Sequence, residues 1–218
     1  MPTGVRRVVT SVLLTGAMAL PAGVVVSTQQ PRAAHGRLFP PEKLGELEGP
    51  DREEWQQPDR IMDELGIFTG ARVADIGAGG GWFTVRLARR VGPDGRVYAE
   101  DIQRQMIESI QRRVLREGLR NVETVIGTPI DPHLPQNLDA VLIVDTYPQL
   151  DDPVAMLKHV ASALGPNGRL GIVDFKKDKL GPGPAMDERL EPEVIIRDAA
   201  RAGLRLHAHA TFLRYQYL

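Results

Sequence analysis

The stretch that decides the fold is VADIGAGGGWF, residues 73–83. A short apolar run leads to Asp75 and Ile76, and glycine then occupies four of the next five positions. Glycine lacks a Cβ and adopts positive φ readily, so a loop of this composition can bring its backbone close to a ligand. The stretch predicts a buried strand followed by a ligand-binding loop, and it leaves open which ligand is bound.

The sequence on both sides of this stretch predicts alternating strands and helices. Five apolar runs predict strands: ARVADI, RVYAED, NVETVIG, LDAVLIVD and RLGIVDF. Amphipathic runs between them predict helices, one of which begins near Pro58 with Ile61 and Met62 facing inward. The last 15 residues, LRLHAHATFLRYQYL, predict two closing strands. This alternation is typical of βαβ units, so we predict an α/β domain over residues 51–218 with seven mostly parallel strands.

Composition excludes several classes of function. The 218 residues carry a formal net charge of −1 and show no basic stripe, so no nucleic-acid partner is expected. There is no cysteine, which excludes disulfides, thiolate metal sites and a cysteine nucleophile. His207 and His209 share one face of a predicted strand, but no further ligand lies nearby in the sequence, so no metal site is predicted.

The N-terminal segment predicts a targeting signal. Arg6 and Arg7 precede an apolar stretch that ends in small residues, as in a secretory signal peptide over residues 1–27. An uncleaved N-terminal anchor and an over-called start site are the alternatives, so the protein is expected to be exported, periplasmic or membrane-associated, or cytoplasmic in the last case. Residues 28–50 are rich in Pro, Gly, Gln and Glu and are predicted to be a linker.

The residues around the glycines favour a cationic ligand over a phosphate. Trp82 stands where a dinucleotide fingerprint requires its third glycine, and no Lys-Ser or Lys-Thr pair follows as in a phosphate loop. Asp75 precedes the loop directly and would repel a pyrophosphate. A nucleotide-dependent oxidoreductase is therefore disfavoured.

A second landmark is VYAEDIQRQM, residues 97–106. Alternation along a strand places Asp101 on the face of Val97 and Glu100 on the opposite face. Asp101 ends this strand 20 residues after Gly81, the spacing at which a carboxylate reaches a ribose diol. Asp101 is thus the first candidate for a sugar contact, and Glu100 is the competing acid.

Together, DIGAGGGWFT and VYAEDIQRQM resemble the class I S-adenosylmethionine-dependent methyltransferases, over about residues 55–218. An exported subgroup of this family is similar in three further places: WQ-P at 55–58, VDTY at 144–147 and YQY at 215–217. The resemblance implies a Rossmann-like, doubly wound sheet with helices on both faces. It also implies S-adenosyl-L-methionine as the cofactor.

By that resemblance, the glycine loop holds the methionine end of the cofactor. The loop residues concerned are Gly77, Ala78, Gly79 and Gly81. Asp75 would lie near the ammonium group or its water.

The same resemblance implies a nucleoside end at the second strand. Asp101, or else Glu100, would bind the ribose hydroxyls, and Ile102 would pack on the adenine. Thr128 takes the place after the third strand where many family members have an acid that meets the adenine amino group.

Two residues after the fourth strand are candidates for the reaction centre. Asp145 ends the most apolar strand and would lie near the transferred methyl group, although a capping acid is the structural alternative. Tyr147 would line the acceptor pocket, unless it packs on the sheet instead. The subgroup often has histidines after VDTY, whereas this chain has Pro148 and Gln149, so no histidine base is predicted.

These observations lead to two functional hypotheses. The first is a methyltransferase that uses S-adenosylmethionine and acts on a small-molecule acceptor, since methyl transfer depends largely on positioning. The second is an exported, non-catalytic or degenerate protein that keeps the nucleoside pocket without turnover. The sequence does not indicate the oligomeric state.

Overall fold

The computed structural model describes residues 38–178 and 181–218. The predicted signal peptide, residues 1–27, lies outside the described residues, as do residues 28–37 of the predicted linker. The described part contains a six-stranded sheet in the order β3-β2-β1-β4-β5-β6. Strands β1 to β5 pair in parallel, and β6 is antiparallel to β5.

The strands are β1 (Arg72–Ile76), β2 (Arg96–Asp101), β3 (Val122–Ile126), β4 (Leu138–Val144), β5 (Leu164–Phe175) and β6 (Gln216–Tyr217). The helices are α1 (Arg52–Gln56), α2 (Pro58–Glu64), α3 (Trp82–Val91), α4 (Arg104–Arg116), α5 (Pro153–Ala163) and α6 (Pro192–Arg201). Two short 3-10 helices cover Pro41–Leu47 and Tyr147–Gln149.

The strand order reverses between β1 and β4. Strands β2 and β3 extend the sheet on one side of β1, and β4 and β5 extend it on the other. In an open parallel sheet a crevice forms outside the carboxyl ends of the strands at such a reversal. The glycine loop follows β1 directly and therefore lies at this crevice.

Two hydrophobic cores cover the two faces of the sheet. One contains Phe83 and Leu87 of α3 with Val97 of β2, and the other contains Leu157 of α5 with Tyr98 of β2. Neighbouring residues of one strand thus point into different cores, as strand alternation requires. The prediction of a doubly wound α/β sheet with helices on both faces is confirmed.

The helix predicted near Pro58 is preceded by a helical turn that the sequence did not indicate. Helix α2 begins at Pro58, with Ile61 and Met62 fully buried as predicted. Helix α1 ends at Gln56, and Gln57, the single residue between the two helices, has a φ of 48°. A residue that precedes proline is disfavoured in the helical region, so the chain breaks here and α1 turns toward the sheet.

The prediction of two closing strands is wrong in part, and the sheet has six strands rather than seven. Strand β6 covers only two residues and pairs with Asp174 and Phe175 of β5. Residues 204–214 alternate in polarity but form no strand, although Ala210 and Leu218 exchange two backbone hydrogen bonds. Leu206 in this segment is 61% exposed, so its apolar side chain finds no core that would fix a regular strand.

The described part of the predicted linker, residues 38–50, packs against the domain. Gln103 donates a hydrogen bond of 3.1 Å to the carbonyl oxygen of Phe39. Glu48 forms an ion pair with Arg113 of α4. Within the described ranges, no helix is long and apolar enough to cross a membrane.

Candidate active site

A cavity of about 920 Å³ opens at the carboxyl ends of β1, β2, β4 and β5. The glycine loop and the end of β2 line one part of it, and Asp145 and Phe175 line another. Residues 38–39, 46–49 and 51 border the cavity as well, so the N-terminal part of the described chain belongs to its wall.

The first part of the glycine loop has the geometry of a ligand cradle. Gly77 and Gly79 have φ of 66° and 56°, and both line the cavity together with Ala78. A Cβ at position 77 would lie 2.3 Å from Cγ2 of Thr146, so no larger residue fits there without displacing the chain after β4. Glycine at 77 therefore lets the loop pack closely against Thr146 while its backbone lines the cavity.

Gly81 does not lie where the sequence predicted. It is the residue before α3, with a φ of 79°, and it does not line the cavity. A Cβ at this position would lie 3.4 Å from Ile110 of α4. Gly81 therefore permits the start of α3 and its packing on α4, because the loop has already turned away from the crevice.

Asp75 borders the cavity and also holds α3. Its Oδ2 accepts a hydrogen bond of 2.7 Å from the hydroxyl of Thr84, and its side chain is buried. Burial raises the pKa of Asp75 to about 7, and the bond from Thr84 opposes this shift. The two interpretations of Asp75, a structural acid and an acid at the binding site, are compatible in this position.

Asp101 and Glu100 contact the glycine loop from different faces of β2. Asp101 accepts hydrogen bonds from the backbone N–H groups of Gly79, at 3.0 Å, and Gln103, at 2.9 Å. Burial raises the pKa of Asp101 above its ordinary value. Asp101 and Glu100 both line the cavity, and the ribose contact stays a prediction for either of them.

Glu100 carries a buried carboxyl oxygen that no other group satisfies. Its Oε2 accepts a bond of 3.3 Å from the backbone of Gly77, while its Oε1 has no hydrogen-bond partner in the described part of the chain. A Cβ at Gly127 would lie 1.8 Å from this Oε1, so glycine at 127 makes room for the carboxyl group. Burial raises the pKa of Glu100 to about 8.

Ile102 and Thr128 line the cavity beyond the end of β2. The hydroxyl of Thr128 donates to the carbonyl oxygen of Asp131 at 3.1 Å and accepts from the backbone N–H of the same residue at 3.0 Å. These bonds close a turn after β3. The hydroxyl of Thr128 thus takes part in the hydrogen bonds of the turn, and the same residue lines the cavity.

Asp145 is held by three side chains from distant parts of the sequence. Its Oδ2 accepts from Gln56 at 3.2 Å and from Arg52 at 3.4 Å, and its Oδ1 accepts from Gln216. Asp145 has a φ of 55°, a left-handed conformation that is uncommon outside glycine. Burial raises its pKa to about 6, and the positive charge of Arg52 limits that rise.

The sequence indicated two members of this cluster only indirectly and missed the third. Gln56 and Gln216 lie within the WQ-P and YQY matches, and both are fully buried here. The signal available was a glutamine next to aromatic residues, after Trp55 for Gln56 and between Tyr215 and Tyr217 for Gln216. Arg52 gave no signal, yet its guanidinium lies 4.4 Å from the ring of Trp82 and lines the cavity.

Tyr147 takes the second of the two places considered for it, since it packs against the sheet and does not line the acceptor pocket. This residue is completely buried in the core beneath α5 and α6 and does not line the cavity. Its hydroxyl donates to Asp198 of α6 at 3.3 Å. The short 3-10 helix after Asp145 turns the tyrosine away from the crevice, so it packs in the interior and is not available to an acceptor.

The histidines considered for a metal are not grouped with other ligands. His207 and His209 are exposed in the irregular segment before β6. Among the described residues, no group of three or more His, Cys, Asp or Glu side chains could hold a metal ion.

Comparison with known proteins agrees with this geometry. Residues 73–168 match the sequence profile of a family described as "Methyltransferase domain". The chain superposes on the crystal structure of a SAM-dependent methyltransferase from Aquifex aeolicus with a TM-score of 0.78 and 29% identity, over 82% of this chain and 96% of the other. Residues 73–168 thus resemble a methyltransferase domain, and the fold of the chain is similar to that of a SAM-dependent methyltransferase.

Two named relatives match over only part of their own length. This chain is 32% identical over 118 residues to the ubiquinone/menaquinone biosynthesis C-methyltransferase UbiE of Hahella chejuensis, a match that covers 53% of this chain and 47% of the relative. It is 28% identical over 160 residues to the nocamycin O-methyltransferase of Saccharothrix syringae, covering 69% and 57%. The chain thus spans about half the length of the curated relatives it matches.

The cavity suits S-adenosylmethionine, the cofactor of the class I methyltransferases that the chain resembles. When bound, this cofactor supplies a methyl group on a positively charged sulfur. Gly77 and Gly79 line the cavity without side chains, and Oε1 of Glu100, which has no partner among the described residues, is left to accept a hydrogen bond from a ligand. Asp75, Asp101 and Asp145 add further carboxyl groups around the same space, which favours a ligand of positive charge.

Proposed function

We propose that this protein is a methyltransferase that transfers a methyl group from S-adenosylmethionine to a small-molecule acceptor. One observation carries the proposal. A single cavity lies at the reversal of strand order, and its lining includes the backbone of Gly77 and Gly79 and the carboxyl groups of Asp101 and Asp145.

In this proposal the end of β2 binds the nucleoside. The carboxylate of Asp101 accepts hydrogen bonds from the ribose hydroxyls, and the side chain of Ile102 packs on the adenine. Both side chains line the cavity, and the loop bonds of Asp101 fix its orientation. Glu100, on the opposite face of β2, offers its unsatisfied oxygen to a donor of the same ligand.

The loop after β1 holds the methionine end. The backbone at Gly77, Ala78 and Gly79 surrounds it, and Asp75 contributes negative charge beneath the ammonium group. Asp145, about one fifth exposed, faces the space between this loop and β5 and orients the acceptor. Tyr147 and Gly81 have no part in this arrangement, because neither lines the cavity.

The relatives support a small-molecule acceptor. One is named for ubiquinone/menaquinone biosynthesis and another for nocamycin, and both names describe small molecules. A cavity of about 920 Å³ is at the upper end of the size expected for a site that holds small ligands.

Calorimetric titration of the full chain with S-adenosylmethionine, S-adenosylhomocysteine and NAD tests the cofactor assignment. We expect both adenosyl compounds to bind and NAD to give no heat. Absence of heat with both adenosyl compounds would refute the proposal, and binding of NAD would favour an oxidoreductase. Binding of the adenosyl compounds without methyl transfer to any acceptor would instead favour the non-catalytic nucleoside-binding alternative.

We also propose, from the sequence alone, that residues 1–27 direct export, as in the subgroup that the VDTY and YQY motifs resemble. N-terminal sequencing of protein from cell fractions tests this point. A mature N-terminus near Ser27 in the exported fraction is the expected result. An intact N-terminus in the membrane fraction would indicate an anchor, and an intact chain in the cytoplasm would contradict export.

A further inference from the structure

The cavity has a second, apolar wall at the end of β5. Trp55 and Phe175 form it, with ring centroids 5.9 Å apart, together with the turn Pro182-Gly183-Pro184. We call these five residues the aromatic wall. None of them belongs to the group that the proposed function assigns to the cofactor.

The aromatic wall lies far from the nucleoside end. The sheet order places β5 three strands away from β2, and neighbouring strands are about 4.8 Å apart, so the two ends are separated by about 14 Å. The glycine loop after β1 and Asp145 after β4 lie between them. A ligand on the aromatic wall would therefore approach Asp145 from the side opposite to Asp101.

The aromatic wall is held in place before any ligand binds. Gly183 has a φ of 103°, and a Cβ there would lie 2.7 Å from the ring of Phe175, so the turn packs directly on that ring. Arg189 donates hydrogen bonds of 3.1 and 3.0 Å to the carbonyl oxygens of Pro182 and Pro184. Tyr215 supports the ring of Trp55 edge-on at 6.2 Å. Phe175 itself is only 4% exposed, so Trp55, Pro182 and Pro184 present most of this surface to the cavity. Such a surface suits a flat, apolar ligand.

The charges next to the aromatic wall favour an uncharged ligand. A carboxylate would face Asp145 and Glu188, which both line the cavity. An ammonium group would meet the guanidinium of Arg52, which lines the cavity 3.4 Å from Asp145. The carboxylate of Asp145 can still accept one more hydrogen bond, since each of its oxygens has two acceptor sites.

We infer that the aromatic wall is the acceptor subsite, and that it takes an uncharged aromatic compound whose acidic hydroxyl group hydrogen bonds to Asp145. This inference rests on the proposed function and adds the chemical class of the acceptor. The acceptor oxygen forms a bond to the transferred methyl carbon as the carbon–sulfur bond breaks. The bonding electron pair returns to sulfur, which becomes neutral, and the hydroxyl proton passes to the carboxylate of Asp145.

Four probes that share one ring system test the inference. They are 2-naphthol, naphthalene-2-methanol, 2-(aminomethyl)naphthalene and 2-naphthoate, each titrated calorimetrically at pH 8 into the full chain saturated with S-adenosylhomocysteine. We expect 2-naphthol to bind at least about tenfold more tightly than the ammonium and carboxylate probes, because burial of an unpaired charge is costly. With S-adenosylmethionine, only 2-naphthol should gain the mass of one methyl group, since the hydroxyl of naphthalene-2-methanol is too weakly acidic to pass its proton to a carboxylate.

Matched variants locate the site on the chain. Phe175→Leu should weaken 2-naphthol binding about tenfold, because Trp55 and the turn at 182–184 lose the ring on which they pack, and it should leave the affinity for S-adenosylhomocysteine within about twofold. Phe212→Leu is the control, because Phe212 packs against Arg60 and does not line the cavity. Trp55→Leu provides a second test from the other ring, should Phe175→Leu fail to fold.

The outcomes separate this inference from the proposed function. Failure of S-adenosylhomocysteine to bind would count against the proposed function itself. If it binds while 2-naphthol gives no heat, or binds no more tightly than the ammonium or carboxylate probe, the inferred acceptor class is wrong and the cofactor assignment stands. Equal losses in Phe175→Leu and Phe212→Leu would place the probe elsewhere and refute the acceptor subsite.

Discussion

The side-chain amide of Gln216 donates a hydrogen bond to the carboxylate of Asp145 and so ties the last strand to the end of β4. Gln56 completes a triangle, since its amide nitrogen lies 3.0 Å from Oε1 of Gln216 and 3.2 Å from Oδ2 of Asp145. Three elements that are remote in sequence, α1, β4 and β6, thus converge on one acid. The triangle gives the short β6 a function in the site that its length alone would not suggest.

Gln216→Leu should raise the pKa of Asp145 further above its present value of about 6. The amide hydrogen bond stabilises the charged carboxylate, so its loss favours the protonated form. Carboxyl carbon NMR of the full chain measures the titration directly, and the acid limb of any methyl-transfer rate should move to higher pH in parallel. Gln111→Leu, at an exposed bond to Thr124, is the matched control. An unchanged titration of Asp145 would show that Gln216 serves only to attach β6.

Asp101→Ala should weaken the binding of S-adenosylmethionine by about 1.5–3 kcal/mol, the range for hydrogen bonds to a charged group. Part of that loss comes from the loop, since Asp101 also accepts the N–H of Gly79. Glu100→Gln keeps the size of the side chain and should cost much less. Calorimetric dissociation constants for the two variants decide the matter, and equal losses would mean that the ribose acid has been assigned wrongly.

Gly77→Ala and Gly81→Ala should separate binding from stability. Both positions have positive φ, so each variant loses stability through backbone strain of about 1 kcal/mol or more. Only position 77 adds a clash with Thr146 at the cavity, so Gly77→Ala should also lose most of its affinity for S-adenosylmethionine. Thermal melting and calorimetry on both variants provide the comparison. A similar loss of affinity in Gly81→Ala would return Gly81 to the binding site.

The sequence predicted most of the parallel sheet because its strands are buried on both faces. Apolar runs such as LDAVLIVD leave little alternative to a central strand, and β4 spans Leu138–Val144 as expected. The segment 204–214 misled the prediction, since alternation alone cannot show whether a neighbouring strand and core are available. Strand alternation on β2, in contrast, correctly predicted that Asp101 and Glu100 lie on opposite faces of the sheet.

The sequence alone could not predict which side chains from remote segments contact one another at the site. Asp145 was identified from its place after a central strand, but Arg52, Gln56 and Gln216 join it only through the packing of α1 and β6. The sequence left two places open for Tyr147 for a related reason. It lies two residues after Asp145, where a single helical turn decides whether a side chain faces the crevice or the core. Local patterns indicated most of the strands and helices but not all of their ends, since β5 begins at Leu164 rather than at Arg169, and the direction of a loop residue depends on tertiary contacts.

Asp174 should make the protein less stable as the pH rises. Its carboxyl group is buried at the end of β5, its Oδ2 has no hydrogen-bond partner among the described residues, and burial raises its pKa to about 8. A folded-state pKa above the unfolded value means that the folded chain keeps a proton on Asp174 that the unfolded chain has already lost. The stability that this proton contributes is present at low pH and is lost as the pH rises toward 8. Asp174→Asn cannot ionise, so its free energy of unfolding should decline less between pH 6 and pH 9. Denaturant titrations of this variant and of the exposed control Asp63→Asn test this, and parallel curves for the wild type and Asp174→Asn would contradict it.

Binding of S-adenosylmethionine should release protons near neutral pH. Burial raises the pKa of Asp75 to about 7 and that of Glu100 to about 8, so both groups are partly protonated in the free protein. A positive charge placed among these carboxyl groups favours their ionised forms and lowers both pKa values. The affinity should therefore increase as the pH rises from 6 to 8, because less work is then needed to remove the protons.

Calorimetry at pH 7 in phosphate and in Tris detects these protons, since the two buffers differ in heat of ionisation. The observed binding enthalpy should differ between the buffers for S-adenosylmethionine and differ less for S-adenosylhomocysteine, whose sulfur carries no charge. Glu100→Gln removes one of the two groups and should reduce the difference, while the exposed control Glu123→Gln should leave it unchanged. Equal enthalpies in both buffers for the wild-type protein would show that Asp75 and Glu100 keep their protonation states on binding. The negative charge that attracts the cofactor would then have to come from Asp101 and Asp145.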